Sequence, residues 1–202
     1  QYRAVAQVGT GHGAGIHMNV LKQVVASIKE GDALTTVSLN SDNYRPTSTE
    51  IVKHLLSKKL GGIYITTTRP SASIIADLEK IKADLGDLYF VDMISLTVGG
   101  ETEDPRTMFI ESPTMLESVL LNIGLLERRI KAKRHFVMFD SVNGLTIYSE
   151  SRVLKEFINV LANTMRLRKT YTMMLTVEEQ TSDDLASMLK TLTDRYIENT
   201  DG

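Results

Sequence analysis

The chain has 202 residues, of which 42% are hydrophobic and 24% are charged, and its formal net charge is -2 at pH 7. These values are ordinary for one globular domain, and they exclude a strong overall field that would attract nucleic acid or an anionic membrane. The chain contains no cysteine, which excludes disulfides, a thiolate nucleophile and a cysteine-ligated zinc site. Because no run of about 18 apolar residues occurs, we expect no membrane span and a cytoplasmic location.

The beginning of the chain differs in character from the rest. Residues 1–17 are rich in glycine and show no helical periodicity, so we interpret them as a flexible or vector-derived segment. From Met18 apolar residues recur at helical spacing until Gly31, which predicts the first helix. Residues 18–202 are expected to form a single domain.

After this helix, apolar strands alternate with amphipathic helices. The predicted order is a strand at 33–40, a polar loop at 41–46, a helix at 47–59, a break at 61–62, a strand at 63–68, a helix at 71–85, a strand at 88–94, an exposed loop at 97–107, a helix at 113–133, a strand at 135–140, a helix at 150–168, a strand at 170–177, a helix at 182–192 and a short edge strand at 195–199. Such alternation predicts an α/β fold, a three-layer sandwich with a mostly parallel central sheet.

The segment after the first predicted strand is the first place to look for a site, because open parallel sheets bind ligands beyond the carboxyl ends of their strands. It reads SDNYRPTS and has the length of a phosphate-binding P-loop, G-x-x-x-x-G-K-[ST]. Ser41 and Pro46 stand at the glycine positions, Thr47 stands at the lysine position, and only Ser48 matches. Arg45 is the one cation of the segment. Pro46 has no N–H to offer a phosphate, and Thr47 has no charge.

A plain helix start explains part of the same segment. Thr47-x-x-Glu50 is a capping box, in which the threonine side chain satisfies a free N–H group of the first helical turn. We weight this capping role above phosphate binding, although any helix N-terminus still favours an anion.

Asp140 ends the apolar strand HFVMFD and is followed by Ser141. In P-loop enzymes an acid at this point holds Mg²⁺, whereas in other α/β proteins a strand-ending aspartate caps a turn. Its combination with the 41–48 segment favours the first interpretation. No histidine has metal-ligand spacing, so Ser48 and Asp140 are the candidate metal ligands, and only if Mg²⁺ is bound.

Taken together, these segments resemble RecA/KaiC-type P-loop ATPases, and archaeal KaiC-like proteins in particular, over roughly 18–199. FVMFDSVNGL resembles their Walker B strand, and GGIYITTTRPSASIIADLEKI resembles the strand and helix where catalytic glutamates lie. The resemblance implies that Ser48 faces Mg²⁺ or phosphate, that Asp140 is the Walker B acid, and that Ser141 is the small polar residue after it. Thr67, Thr68 and Arg69 stand where the glutamates would activate water.

The resemblance therefore implies a degenerate, non-catalytic member with no cofactor. We expect a regulatory or interaction module, for example in signal transduction, that forms a homo-oligomer or a complex with a related protein, with no membrane partner. One alternative is a weak ATPase that binds ATP and Mg²⁺ through Ser48 and Asp140, helped by Arg45 or Arg69.

The other alternative is a DNA-associated protein similar to recombinase paralogues. Basic residues cluster at 128–134 and again at 166–169, and if both clusters lie at one sheet edge they would bind an acidic partner or nucleic acid. Nucleic acid is possible but not favoured, because few aromatic residues lie between the basic ones.

Overall fold

A computed structural model describes residues 12–100 and 103–198, in which seven strands form one sheet between two layers of helices. The helices are α1 (His12–Glu30), α2 (Ser41–Ser57), α3 (Ser71–Lys80), α4 (Leu116–Glu127), α5 (Val142–Thr146), α6 (Ser151–Arg168) and α7 (Asp183–Leu192). The strands are β1 (Leu34–Leu39), β2 (Gly61–Thr66), β3 (Leu88–Asp92), β4 (Thr107–Phe109), β5 (His135–Asp140), β6 (Tyr171–Val177) and β7 (Arg195–Glu198).

The sheet order is β4-β3-β2-β5-β6-β1-β7, and every pairing between neighbours is parallel. All strands therefore end at one edge, the carboxyl edge, and begin at the opposite amino edge. Strands β6 and β5 separate β1 from β2, so the chain leaves β1 towards one side of the sheet and returns to β7 on its other side. Ligands of open α/β sheets bind at the carboxyl edge near such a reversal.

Each face of the sheet carries its own core. One core packs α4, α5, α6 and α7 on inward residues such as Val137 and Phe139, and the other packs α1, α2 and α3 on residues such as Phe136 and Met138. Because successive side chains of a strand point to opposite faces, a strand covered on both sides must be apolar throughout. The predicted three-layer α/β sandwich is thus confirmed.

Two predictions for the first third of the chain are wrong in their boundaries. Helix α1 begins at His12, ahead of Met18, whereas residues 1–11 lie outside the part that the structure describes. The glycine pair predicted to break the helix lies after its end, and β2 begins at Gly61, two residues ahead of the predicted strand at 63–68. A Cβ atom on Gly62 would lie 2.5 Å from the ring of Phe136, so the close approach of the strands explains a glycine at this position.

In the rest of the chain, the helices and strands are shorter and more numerous than predicted. The loop predicted over 97–107 ends in the short strand β4, and the helix predicted over 113–133 is restricted to α4. Helix α5 was not predicted, because five residues are too few to show periodicity. The edge strand predicted at 195–199 is confirmed as β7.

Candidate functional site

The predicted loop after β1 is a helix in the structure. Only Asn40 separates β1 from α2, and its side chain caps the helix by accepting a hydrogen bond from Asn43 N at 3.0 Å. The prediction of a polar loop over 41–46 is therefore wrong. Serine, aspartate and asparagine favour turns and the first turn of a helix for the same reason, since their short side chains bond nearby N–H groups. Asn40 was the sequence signal for this helix start.

A second cap on α2 comes from the far end of the chain. Glu179 lies in the short 3₁₀ turn after β6, and Ser41 N donates to its two carboxylate oxygens at 3.0 and 2.9 Å. The Ser41 hydroxyl donates to the same carboxylate at 3.0 Å. Hydrogen bonds from its own backbone N–H and from Ser41 hold the pKa of Glu179 below its usual range. The chain thus supplies its own anion to the helix N-terminus.

Residues 46–48 form the second turn of α2. Pro46 lies inside the helix, where it lacks the N–H that would bond the preceding turn. Thr47 is buried and its hydroxyl hydrogen-bonds to His17 Nδ1 of α1, so the predicted capping box with Glu50 is not formed. The Ser48 hydroxyl donates to the carbonyl of Arg45 at 3.1 Å. These groups serve the helix and its contact with α1.

Asp140 ends β5 as predicted, and each of its two carboxylate oxygens accepts a hydrogen bond from a tyrosine. The side chain is buried, with 4% of its surface exposed; Tyr44 Oη donates to Oδ1 and Tyr64 Oη donates to Oδ2. Tyr44 comes from the first turn of α2, and Tyr64 from β2. We call these three side chains the tyrosine clamp. Sequence analysis missed both tyrosines, because they lie 96 and 76 residues from the acid.

The electrostatics of the clamp follow from its burial. Burial raises the pKa of Asp140 above its ordinary value, although the two tyrosine hydroxyls and the charges of Arg69 and Arg45 act in the opposite direction. Burial, followed by the charge of Asp140, raises the pKa of both tyrosines well above the usual range. Both hydroxyls therefore keep their protons at neutral pH and remain donors.

The end of β2 carries hydroxyl groups where the resemblance would place glutamates. Thr67 N donates to the carbonyl of Asp140 at 2.9 Å, and the Thr67 hydroxyl accepts from Ser141 N at 3.0 Å. Thr68 is exposed. Arg69 forms an ion pair of 2.6 Å with Asp77 of α3. Residues 66–68 thus contain no group that takes a proton from water at neutral pH.

Asp92, at the end of β3, is a second buried acid that sequence analysis did not single out. Its carboxylate accepts hydrogen bonds from Ser71 N at 2.7 Å, Ser95 Oγ at 2.6 Å, Ser95 N at 2.8 Å and Ile94 N at 2.9 Å. Burial alone would raise the pKa of Asp92, but these bonds outweigh it and lower the pKa. With these four donors around it, the Asp92 carboxylate fixes the start of α3 and the turn that follows β3.

The described residues offer neither a metal-binding cluster nor a membrane span. Within 12–100 and 103–198, no three His, Asp or Glu side chains lie close enough together to hold a metal ion. Across those two ranges, no helix is both long and apolar enough to cross a membrane.

The two basic clusters meet at the amino edge. The first precedes β5 and the second precedes β6, and these strands are neighbours. Arg166 and Arg168 form ion pairs with Asp194 and Glu127, at 2.7 and 2.8 Å. Lys169 and Arg134 line two small cavities of about 320 and 350 Å³ at this edge.

Comparison with protein families now identifies the chain. The family model described as "ATPase: KaiC" matches residues 50–191, which is more than half of the sequence. The chain belongs to the KaiC ATPase family. The match of this KaiC-family chain begins beyond Ser48, so it leaves out the 41–48 segment and includes Asp140 and the end of β2.

Solved structures of archaeal proteins share the fold of this KaiC-family domain at 12% sequence identity. A KaiC-like protein of Pyrococcus horikoshii aligns with a TM-score of 0.59 over 83% of this chain and 70% of its own. A second protein of Pyrococcus horikoshii, solved in complex with an unknown peptide, gives 0.62 over 82% and 76%. Flagellar accessory protein FlaH of Methanocaldococcus jannaschii gives 0.58 over 83% and 70%. No curated protein matches the sequence.

Proposed function

We propose that this KaiC-family domain is a regulatory or interaction module that does not hydrolyse ATP. The observation that carries the proposal is that its own side chains fill the carboxyl edge where a nucleotide and its metal would bind. Glu179 caps the N-terminus of α2, and the tyrosine clamp closes both oxygens of Asp140.

The residues present do not fit a phosphate chain at α2. A phosphate at this helix N-terminus would have to displace the Glu179 carboxylate and then remain near its negative charge. Ser41, Arg45, Pro46, Thr47 and Ser48 belong to the first turns of the helix, in place of a loop whose N–H groups converge on an anion.

The residues also do not fit Mg²⁺. A metal ion at Asp140 would have to break two hydrogen bonds to a carboxylate that is 4% exposed. Ser48, the other candidate ligand, donates its hydroxyl to the carbonyl of Arg45. Because residues 66–68 carry no acid, the end of β2 offers no group to activate a water molecule, and the proposal includes no cofactor and no catalytic residue.

What remains of the family's architecture is a seven-stranded α/β domain. One structural relative was solved with a bound peptide, which is a precedent for peptide recognition by this fold. We therefore propose that the partner is a protein, either a related chain or another macromolecule with a complementary surface.

Calorimetric titration with MgATP and MgADP tests the proposal. We expect no saturable binding heat up to about 1 mM nucleotide. A Kd of that size corresponds to a binding free energy of only about -4 kcal/mol. A micromolar Kd for MgATP that is lost in Asp140→Asn would overturn the proposal and favour the weak ATPase. Asp84→Asn, an exposed change after α3, is the matched control, and circular dichroism checks that both variants fold.

A further inference from the structure

A groove of about 650 Å³ lies between α1 and α2, on the face of the sheet opposite α6. It is separate from the filled carboxyl edge, because the C-terminal turns of both helices and Arg134, which precedes β5, contribute to it. Its floor is apolar and is formed by Leu21, Val25, Ile28, Leu55 and Leu60.

The rim of the groove is basic. It is lined by Lys22 and Lys29 of α1, Lys58 after α2, and Arg134, and none of the described residues around it is acidic. Over the ranges 12–100 and 103–198, none of these four side chains has an ion-pair partner. Four cations without ion-pair partners around an apolar floor are complementary to an amphipathic surface that carries acidic residues beside an apolar stripe.

The basic character continues beyond the groove. Arg134 lines the groove and also both small cavities at the amino edge, where Lys133 and Lys169 accompany it. Lys133 and Arg134, the last two basic residues of the run 128–134, therefore extend the basic rim.

We propose that this groove binds one amphipathic helix of a partner protein, with the apolar side of that helix on the groove floor and its acidic residues facing the basic rim. The proposal rests on the proposed function and names the type of partner. A helix laid between two helices buries a stripe of apolar residues at positions i, i+3, i+4 and i+7. Lys22 and Lys29 are one heptad apart, about 10.5 Å along α1, so acids seven residues apart on the partner would reach both.

Two other partners fit the groove less well. A flat anionic membrane contacts the rim but not a concave floor. Single-stranded nucleic acid stacks its bases on aromatic rings, and among the described residues that line the groove there is no Phe, Tyr or Trp. Residues 1–11 of the chain itself contain one arginine and no acid, so they do not complement the rim.

Fluorescence anisotropy with a labelled peptide tests the proposal on the full chain. The probe is a helical peptide of about 18 residues, five turns, with a leucine stripe flanked by glutamates seven apart. We expect saturable micromolar binding, weakened at least tenfold by the double change Lys22→Glu and Lys29→Glu. The matched control is Lys82→Glu with Lys155→Glu, which makes the same change of net charge at exposed positions outside the groove and should leave Kd within about twofold.

Four results would overturn the proposal. They are no saturable binding below about 1 mM, equal binding of a peptide whose flanking glutamates are lysines, equal weakening by the control pair, and tighter binding of duplex DNA or phosphatidylserine vesicles that the groove variant abolishes. The outcome is independent of the nucleotide titration: a chain that binds neither ATP nor the peptide loses this partner but keeps the proposed function.

Discussion

Removing the Tyr64 hydroxyl is the most direct test of the tyrosine clamp. Tyr64 is 1% exposed and donates to Oδ2 of Asp140, which is itself 4% exposed. Tyr64→Phe deletes one oxygen atom and keeps the ring, so the packing against Phe90, at 5.7 Å between ring centroids, is preserved. The change therefore isolates the hydrogen bond.

The expected loss follows from the charge of the acceptor. A hydrogen bond to a charged group contributes about 1.5–3 kcal/mol, and a neutral one about 0.5–1.5 kcal/mol. We expect Tyr64→Phe to lower the free energy of unfolding by about 2 kcal/mol at neutral pH. For a chain of this length that corresponds to a drop in Tm of roughly 4–8 °C. In an Asp140→Asn background the acceptor is neutral, so the same change should cost about 1 kcal/mol.

Urea and thermal unfolding followed by circular dichroism measure these differences, since the chain contains no tryptophan for fluorescence. Tyr89→Phe is the matched control: its hydroxyl donates to the carbonyl of Arg129 at 3.3 Å in an exposed position, and we expect a change within about 0.5 kcal/mol. A loss of unfolding free energy in Tyr64→Phe no larger than that in Tyr89→Phe, or an equal loss with and without the charge on Asp140, would refute the role of the clamp.

Three further predictions test neighbouring parts of the site. Glu179→Ala frees the N-terminus of α2, so the Tm of this variant should rise with added sulfate more than the Tm of the wild type, and equal responses in thermal unfolding would refute the capping role. Because burial raises the pKa of Asp140, the folded chain takes up its proton more readily than the unfolded chain, and the stability associated with this group falls as pH rises from below its ordinary pKa through the raised one. Asp140→Asn should therefore be more stable than the wild type at neutral pH, and this advantage should vanish in unfolding measured below pH of about 4. Gly144→Ala would press a Cβ atom against Thr67 Oγ1 and place it 2.7 Å from Thr68 Cγ2, and should destabilise by about 1–3 kcal/mol in urea, whereas Gly124→Ala in α4, with 3.5 Å to its nearest neighbour, should stabilise by up to about 1 kcal/mol.

The pattern of apolar residues along the chain is enough to predict the architecture. Strand β5 was predicted with its observed bounds, and β1, β6 and β7 within two residues, because a strand buried on both faces must be apolar along its whole length. The same pattern placed Asp140 at the carboxyl edge, and the order of the segments was sufficient to indicate the KaiC family, which the family match confirms.

The groups that surround Asp140 and the start of α2 become visible only in the folded chain. Tyr44, Tyr64 and Glu179 were absent from the predicted site, since their partners lie 96, 76 and 138 residues away and nothing in local spacing records such a contact. The sequence pattern predicts a loop where α2 begins, because the residues that cap a helix are also those that form turns. The periodicity of apolar residues indicates which side of a helix or strand is buried. The chemistry of the carboxyl edge depends instead on which hydroxyls and carboxylates the parallel sheet brings together from distant parts of the chain.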